Sequence, residues 1–210
     1  MIRFSGDSRK KQDIFKKTHT IGMIASAPEI DIAAASIALA NYYRSAKGYN
    51  TALVIAGDDD GFRDMLSGAE CIDIDPCGYN NGILACYFLK NRNDLEKMMD
   101  KGYDRIVIDL AAGRYANEDL LQIERINAFI STAVWRIGST RQFLHSTIIR
   151  EERLRQRFGN TVYSVTGTAG MCRSISEEFR IGVQQTGELA SISDPYRLTR
   201  DDLRIISRLA

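Results

Sequence analysis

The sequence predicts an α/β fold, a three-layer arrangement in which one mostly parallel sheet carries helices on both faces. Three observations point to it. Short apolar runs without polar alternation, at 20–25 (TIGMIA), 51–56 (TALVIA) and 105–110 (RIVIDL), read as strands buried on both sides. Longer segments with helical periodicity separate them, as the crossovers between parallel strands require. No Pro/Gly/Ser-rich linker interrupts the 210 residues, so 19–210 reads as a single domain behind a basic arm at 1–18.

Taken in order, the arm carries Arg3, Arg9, Lys10, Lys11, Lys16 and Lys17 with little apolar periodicity, the pattern of a solvated tail. After the first strand, Pro28 suits the first position of a helix running to about Ala46, with Ile30, Ala33, Ala34 and Ile37 on its inner face and Lys47-Gly48 as its stop. The second strand ends in an acidic turn, Gly57-Asp58-Asp59-Asp60-Gly61, followed by a short helix near 62–66. A strand at 71–74 and a turn at 75–78 come next, then 83–87 as either a strand or a helix start. Asn93 is a candidate cap for a helix ending at Lys101-Gly102.

Asp109 falls near the carboxyl end of the 105–110 strand. Beyond it the pattern predicts a helix over 117–125 and a strand over 128–137. A helix capped by Ser139 and closed by Gly159 follows, then a strand at 161–165 and a helix over 170–181. The segment 166–170 (TGTAG) offers either an anion pocket or a plain connection. Thr199 and Asp202 are spaced as a capping box for a last helix, with Leu203, Ile206 and Leu209 on one side.

Bulk properties exclude several function classes. The net charge is +1 with 26% charged residues, so no global basic field recruits nucleic acid, and the acid-interleaved arginines of 150–157 form a self-paired face. Cys71, Cys77, Cys86 and Cys172 make no CxxC pair, which fits a reduced, cytoplasmic protein. The two histidines, His19 and His145, have neither a metal-ligand partner nor a nucleophile motif beside them. No apolar run approaches the ~20 residues of a membrane span. No cofactor is expected.

In open parallel sheets, ligands bind outside the carboxyl ends of the strands. Here that edge is expected to include 26–31, 57–61, 109–113 and 138–141. Ile21-Gly22-Met23-Ile24 leading through IASAPEIDIAAAS into Ser36-Ile37-Ala38-Leu39-Ala40, the run Leu53-Val54-Ile55-Ala56-Gly57-Asp58, and the segment Tyr103-Asp104-Arg105-Ile106-Val107-Ile108-Asp109-Leu110-Ala111-Ala112-Gly113 follow one another in a familiar order. This order resembles the ParA/MinD group of P-loop ATPases, including ParA-like pilus-assembly proteins of the TadZ and CpaE kind. The resemblance covers about 18–145 and implies a P-loop NTPase-like fold.

Laid on the motif GxxxxGK[ST], however, the glycines fall on Ser26 and Asp31, the lysine on Ile32 and the hydroxyl residue on Ala33. The group's additional signature lysine falls on Ala27 and its first aspartate after strand two on Ala56. Asp58, Asp109 and Gly113 keep their places. The resemblance therefore implies a degenerate nucleotide loop (Ser26, Ala27, Asp31, Ile32, Ala33) and a candidate cleft at Glu29, Asp58, Asp109 and Gly113, without the groups that contact β/γ-phosphate and Mg²⁺. A helix N-terminus carries about half a positive charge. Glu29 and Asp31 stand ready to use it as first-turn acids and would repel a triphosphate.

The leading expectation is a catalytically inactive ParA/MinD-like protein acting through an unidentified protein partner, positioning or regulating a membrane-associated assembly, with homo-oligomerisation open. One alternative is a metal-dependent enzyme using the acidic edge of Asp58, Asp59, Asp60 and Asp109, since hard cations accept such oxygens. Another is a membrane-surface module using the C-terminal amphipathic helix, against which stands the simpler reading of a helix docked on the domain.

Overall fold

The structure is a computed structural model, and it describes residues 17–56, 62, 66–110, 120–149, 152–159, 161–187, 189 and 192–210. The acidic turn with Asp58, Asp59 and Asp60, Gly113 and the arm up to residue 16 lie outside the described residues. Of the helix expected over 117–125, residues 120–125 are described and correct it: Leu120 alone is helical, 121–124 are turn and irregular, and Arg125 already begins a strand.

Nine strands among the described residues form one sheet in the order β3-β4-β5-β2-β6-β1-β7-β8-β9. They are β1 (His19–Ala25), β2 (Thr51–Ala56), β3 (Glu70–Ile74), β4 (Cys77–Asn80), β5 (Ala85–Leu89), β6 (Arg105–Asp109), β7 (Arg125–Thr132), β8 (Thr161–Gly167) and β9 (Gly182–Gln185). From β5 to β9 every pairing is parallel, and β3 and β4 add an antiparallel hairpin.

Two apolar clusters cover the two faces. One gathers Met23, Leu53, Ile55 and Phe129 under helix α1 (Ala33–Asn41) and the C-terminal segment. The other gathers Ile24, Val54, Ile108 and Ile130 under Leu95, Met98, Phe143, Leu144 and Ile175. Continuous apolar strands satisfy both layers at once.

Helix α1 is buried from Ala35 to Asn41. It lies on the sheet and is itself covered by helix α6 (Arg200–Ile206) and the segments flanking it, through Leu189, Ile192, Ile205, Ile206 and Leu209. Small side chains, AAASIALA, permit contact on both sides. The chain leaves α1 through a π-helical turn, Tyr42–Ala46, and stops at Gly48, whose φ of 72° is left-handed. Helix α6 begins with the expected capping box: Thr199 accepts the Asp202 amide, and Asp202 accepts the Thr199 amide at 2.8 Å.

Several expectations need correction. The helix after β1 starts at Ala33, not at Pro28, because the Ile30 amide bonds the Ala27 carbonyl at 3.1 Å and Pro28 occupies the second position of that β-turn. The cap of α2 (Arg92–Met99) is Asn91 rather than Asn93, since the Asp94 carboxylate accepts the Asn91 and Lys90 amides. Residues 83–87 resolve toward the strand β5, and Cys77 and Gly78 begin β4 rather than complete a turn. β7 starts at Arg125 and ends at Thr132, five residues short of the expected end. Ser139 consequently lies inside α3 (Ile137–Phe143) rather than capping it. The break follows from Thr140, which donates to the Ser131 carbonyl at 2.7 Å and folds the following turn back over the strand end.

The chain continues through a π-helical segment (Leu144–Ile149) and α4 (Glu152–Arg157) to Gly159. Helix α5 spans Ala169–Phe179, shorter than expected at its C-terminal end. β9 was not anticipated, since GVQQ is polar and stands at an edge.

Candidate functional site

The parallel strands end together at Ala25, Ala56, Asp109, Thr132 and Gly167, and this carboxyl edge holds most of the sequence-predicted residues that are described. Asp109 is buried at 3% exposure and pairs in register with Met23 of β1 and Ile55 of β2. The Ser26 amide donates to the Phe129 carbonyl at 2.8 Å, while its hydroxyl is buried with no hydrogen-bond partner among the described residues.

The loop between β1 and α1 is anchored by Ile30 and Ile32, 8% and 1% exposed, with Asp31 turned outward between them. Asp31 Oδ1 accepts the Ala33 amide at 2.9 Å, the first amide of α1. The helix N-terminus thus already holds a carboxylate of its own chain. Ala27 is half-buried in the β-turn, and Ala33 is the first residue of the helix.

Glu29 corrects its assignment as a first-turn acid. It lies four residues ahead of α1, and its carboxylate accepts from Arg136 at 2.9 Å. Its own backbone amide and then the Arg136 guanidinium hold its pKa below the usual carboxylate range. The pair ties the loop to the 3-10 turn Val134–Arg136 that follows β7. On that turn Val134 is 70% and Trp135 84% exposed. Sequence reading placed both inside a strand. A lone tryptophan directly after the last buried strand position is the signal that would have singled them out.

β7 ends early, so this turn stands at the carboxyl edge ahead of 138–141, from which Thr140 reaches back to the Ser131 carbonyl at the strand end. Toward β8 the edge is a set of mutually bonded hydroxyls: Ser131 with Thr166 at 2.7 Å and Thr132 with Ser164 at 3.0 Å. The TGTAG connection packs tightly there. Gly167 has φ of 126°, and a Cβ on it would stand 2.0 Å from Thr132 Oγ1. Thr168 caps α5 by accepting the Met171 amide at 3.4 Å.

No group of three or more His, Cys, Asp or Glu among the described residues is placed to hold a metal. His19 is at the other end of β1, bonded to Glu124 at 2.7 Å, and His145 packs edge-on against Phe179. A shallow groove of about 470 Å³ is lined by Gln142, His145, Ser146 and Ile149, all helical residues remote in sequence from the strand ends. No helix among the described residues is long and apolar enough to cross a membrane. The membrane-seeking reading of the tail loses its apolar face, since Ile206 and Leu209 are buried against the domain.

No protein-family profile matches the sequence, and no curated protein sequence matches it. Solved structures do resemble it. The MinD cell division protein of Aquifex aeolicus aligns over 91% of this chain and 96% of its own, at 10% identity and a TM-score of 0.56. A plasmid partition protein of Borrelia burgdorferi aligns over 92% and 96%, at 13% identity and a TM-score of 0.56. The A. aeolicus MinC:MinD complex also matches, at 10% identity over 90% and 95% with a TM-score of 0.57. The chain has the ParA/MinD-like fold. The mostly parallel nine-stranded sheet is the part of that architecture the likeness covers.

Proposed function

We propose that this chain is a non-hydrolysing protein of the ParA/MinD-like fold that works through protein contacts, positioning or regulating a membrane-associated assembly. The observation that carries the reading is the Asp31 carboxylate on the Ala33 amide, 2.9 Å apart, at the helix terminus where a P-loop would hold phosphate. Ile32, at the motif's lysine position, is in the core and supplies no cation. The exposed Val134–Trp135 turn, fastened to the loop through Arg136 and Glu29, gives the same edge an aromatic anchor suited to a protein surface. Among the similar structures, MinD is solved together with MinC, a precedent for partner binding on this fold.

Titration calorimetry with ATP, ADP and GTP in the presence of Mg²⁺ tests the reading. The expected result is no saturable heat. Micromolar binding of any of the three would overturn it.

A further inference from the structure

The amino ends of the same strands carry a second surface. β1 lies between β6 and β7, with His19 in register with Arg105 and Ile21 with Arg125. His19 and Ile21 are two residues apart, so both arginines leave the sheet on the face that α1 covers. There Arg105 meets Tyr43 of the π-helical turn and Tyr49 just beyond it. The Arg105 guanidinium lies 4.4 Å from the Tyr49 ring centre and 5.9 Å from that of Tyr43, and Lys47 Nζ lies 5.5 Å from that of Tyr42. Burial raises the Tyr43 phenol pKa, and the positive charges of Arg125 and Arg105 pull against it.

What sets these cations apart is the tyrosine rings beneath them. Among the described residues, Arg44, Lys47 and Arg105 have no carboxylate in ion-pair range, whereas Lys17, Lys97, Lys101, Arg136 and Arg141 each face one. Arg105 spends one donor on the Asp104 carbonyl, and Arg125 donates to the terminal oxygen of Ala210. The neighbouring acid, Asp104, is buried and accepts the Asn50 amide at 3.0 Å. Arg44 and Lys47 are fully on the surface.

We propose that this tyrosine-backed cationic edge docks a short acidic segment of a partner protein. A guanidinium stacked on a ring keeps its planar fork oriented, and that fork matches a carboxylate with two parallel hydrogen bonds. Arg105 and Arg125 stand two strand spacings apart, roughly 10 Å across the sheet, a span for a few side chains rather than a long polyanion. A net charge of +1 gives an extended polyanion no long-range attraction, so a local acidic peptide is the better complement. The inference is independent of the nucleotide reading, which concerns the opposite ends of the strands.

The test is fluorescence anisotropy of a fluorescein-labelled oligoglutamate peptide titrated with the full chain, with oligolysine, oligothymidine and phosphatidylglycerol vesicles as comparisons. Expected is saturable, salt-sensitive binding of oligoglutamate alone, weakened about tenfold or more in an Arg44→Glu/Lys47→Glu variant whose circular dichroism and melting match the parent. The milder Arg44→Gln/Lys47→Gln variant serves if the reversal unfolds the chain. Absence of saturable binding, or binding unchanged in a folded variant, would overturn the proposal. Tighter binding of oligothymidine or vesicles would overturn it too, by assigning the edge to nucleic acid or to a lipid surface.

Discussion

Replacing Ile32 by lysine, the residue that the P-loop pattern carries at this position, puts the reading of the carboxyl edge under direct strain. Ile32 is 1% exposed and packs in the same apolar cluster as Ile30, Ile37 and Leu53. Lysine keeps a comparable stem but brings an ammonium into an apolar cluster, while the adjacent Asp31 carboxylate is exposed and already bonded to the Ala33 amide. Uncompensated burial of such an ion costs several kcal/mol after relaxation, and disrupting a buried isoleucine costs about 2–5 kcal/mol. Partial snorkelling offsets some of this. A net loss of about 4 kcal/mol is therefore expected, a large part of the ~5–15 kcal/mol typical of a whole domain. For a chain of this size that is roughly 8–16 °C in Tm. The assay is urea and thermal unfolding followed by circular dichroism, with Ile32→Met as the volume-matched control, expected to lose under ~1.5 kcal/mol. A loss below about 1 kcal/mol for Ile32→Lys, accompanied by new affinity for ATP, would refute the reasoning. It would mean that the loop opens and presents this position to a ligand.

Other perturbations reach other parts of the structure. Gly167→Ala meets both a left-handed φ and the Thr132 side chain and backbone, so a loss of about 2–5 kcal/mol is expected in urea unfolding. A chain ending at Pro195 uncovers α1, and it should aggregate or bind an apolar dye, where a merely peripheral tail would leave the melt unchanged. Asp94 provides a pH test. Burial pushes its carboxyl up, but the Lys90 and Asn91 amides and the Lys97 ammonium outweigh this and hold it below 3.8. Its contribution is then present above about pH 4 and lost as pH falls through the folded value. The stability gap between the parent and Asp94→Asn, large near neutral pH, should narrow in urea midpoints measured below about pH 4.

The legible parts of this protein are those where one stretch of sequence satisfies its physics alone. TALVIA and RIVIDL read as buried strands because each residue in them suits burial on both faces, and Thr199 with Asp202 announced a capping box that closes within a single turn. Asp31 was flagged as an anion for the helix terminus, and its bond to the Ala33 amide spans only two residues. Pro28 misled because a proline suits a β-turn and a helix start equally, and the choice fell to the anchoring of Ile30 and Ile32 in a core assembled from distant strands.

What the sequence determined by itself was the α/β class and the parallel strands around β1. Tertiary structure alone decided where β7 stops, and with it the exposure of Trp135, because the Thr140–Ser131 bond spans nine residues and leaves no periodic trace. It also decided the pairing of Glu29 with Arg136 and the stacking of Arg105 on Tyr49 beside Tyr43. The physical reason is common to these cases. Hydrophobic periodicity records which way a side chain faces, while the partner of a surface charge or an exposed ring is set by which strands become neighbours in the sheet.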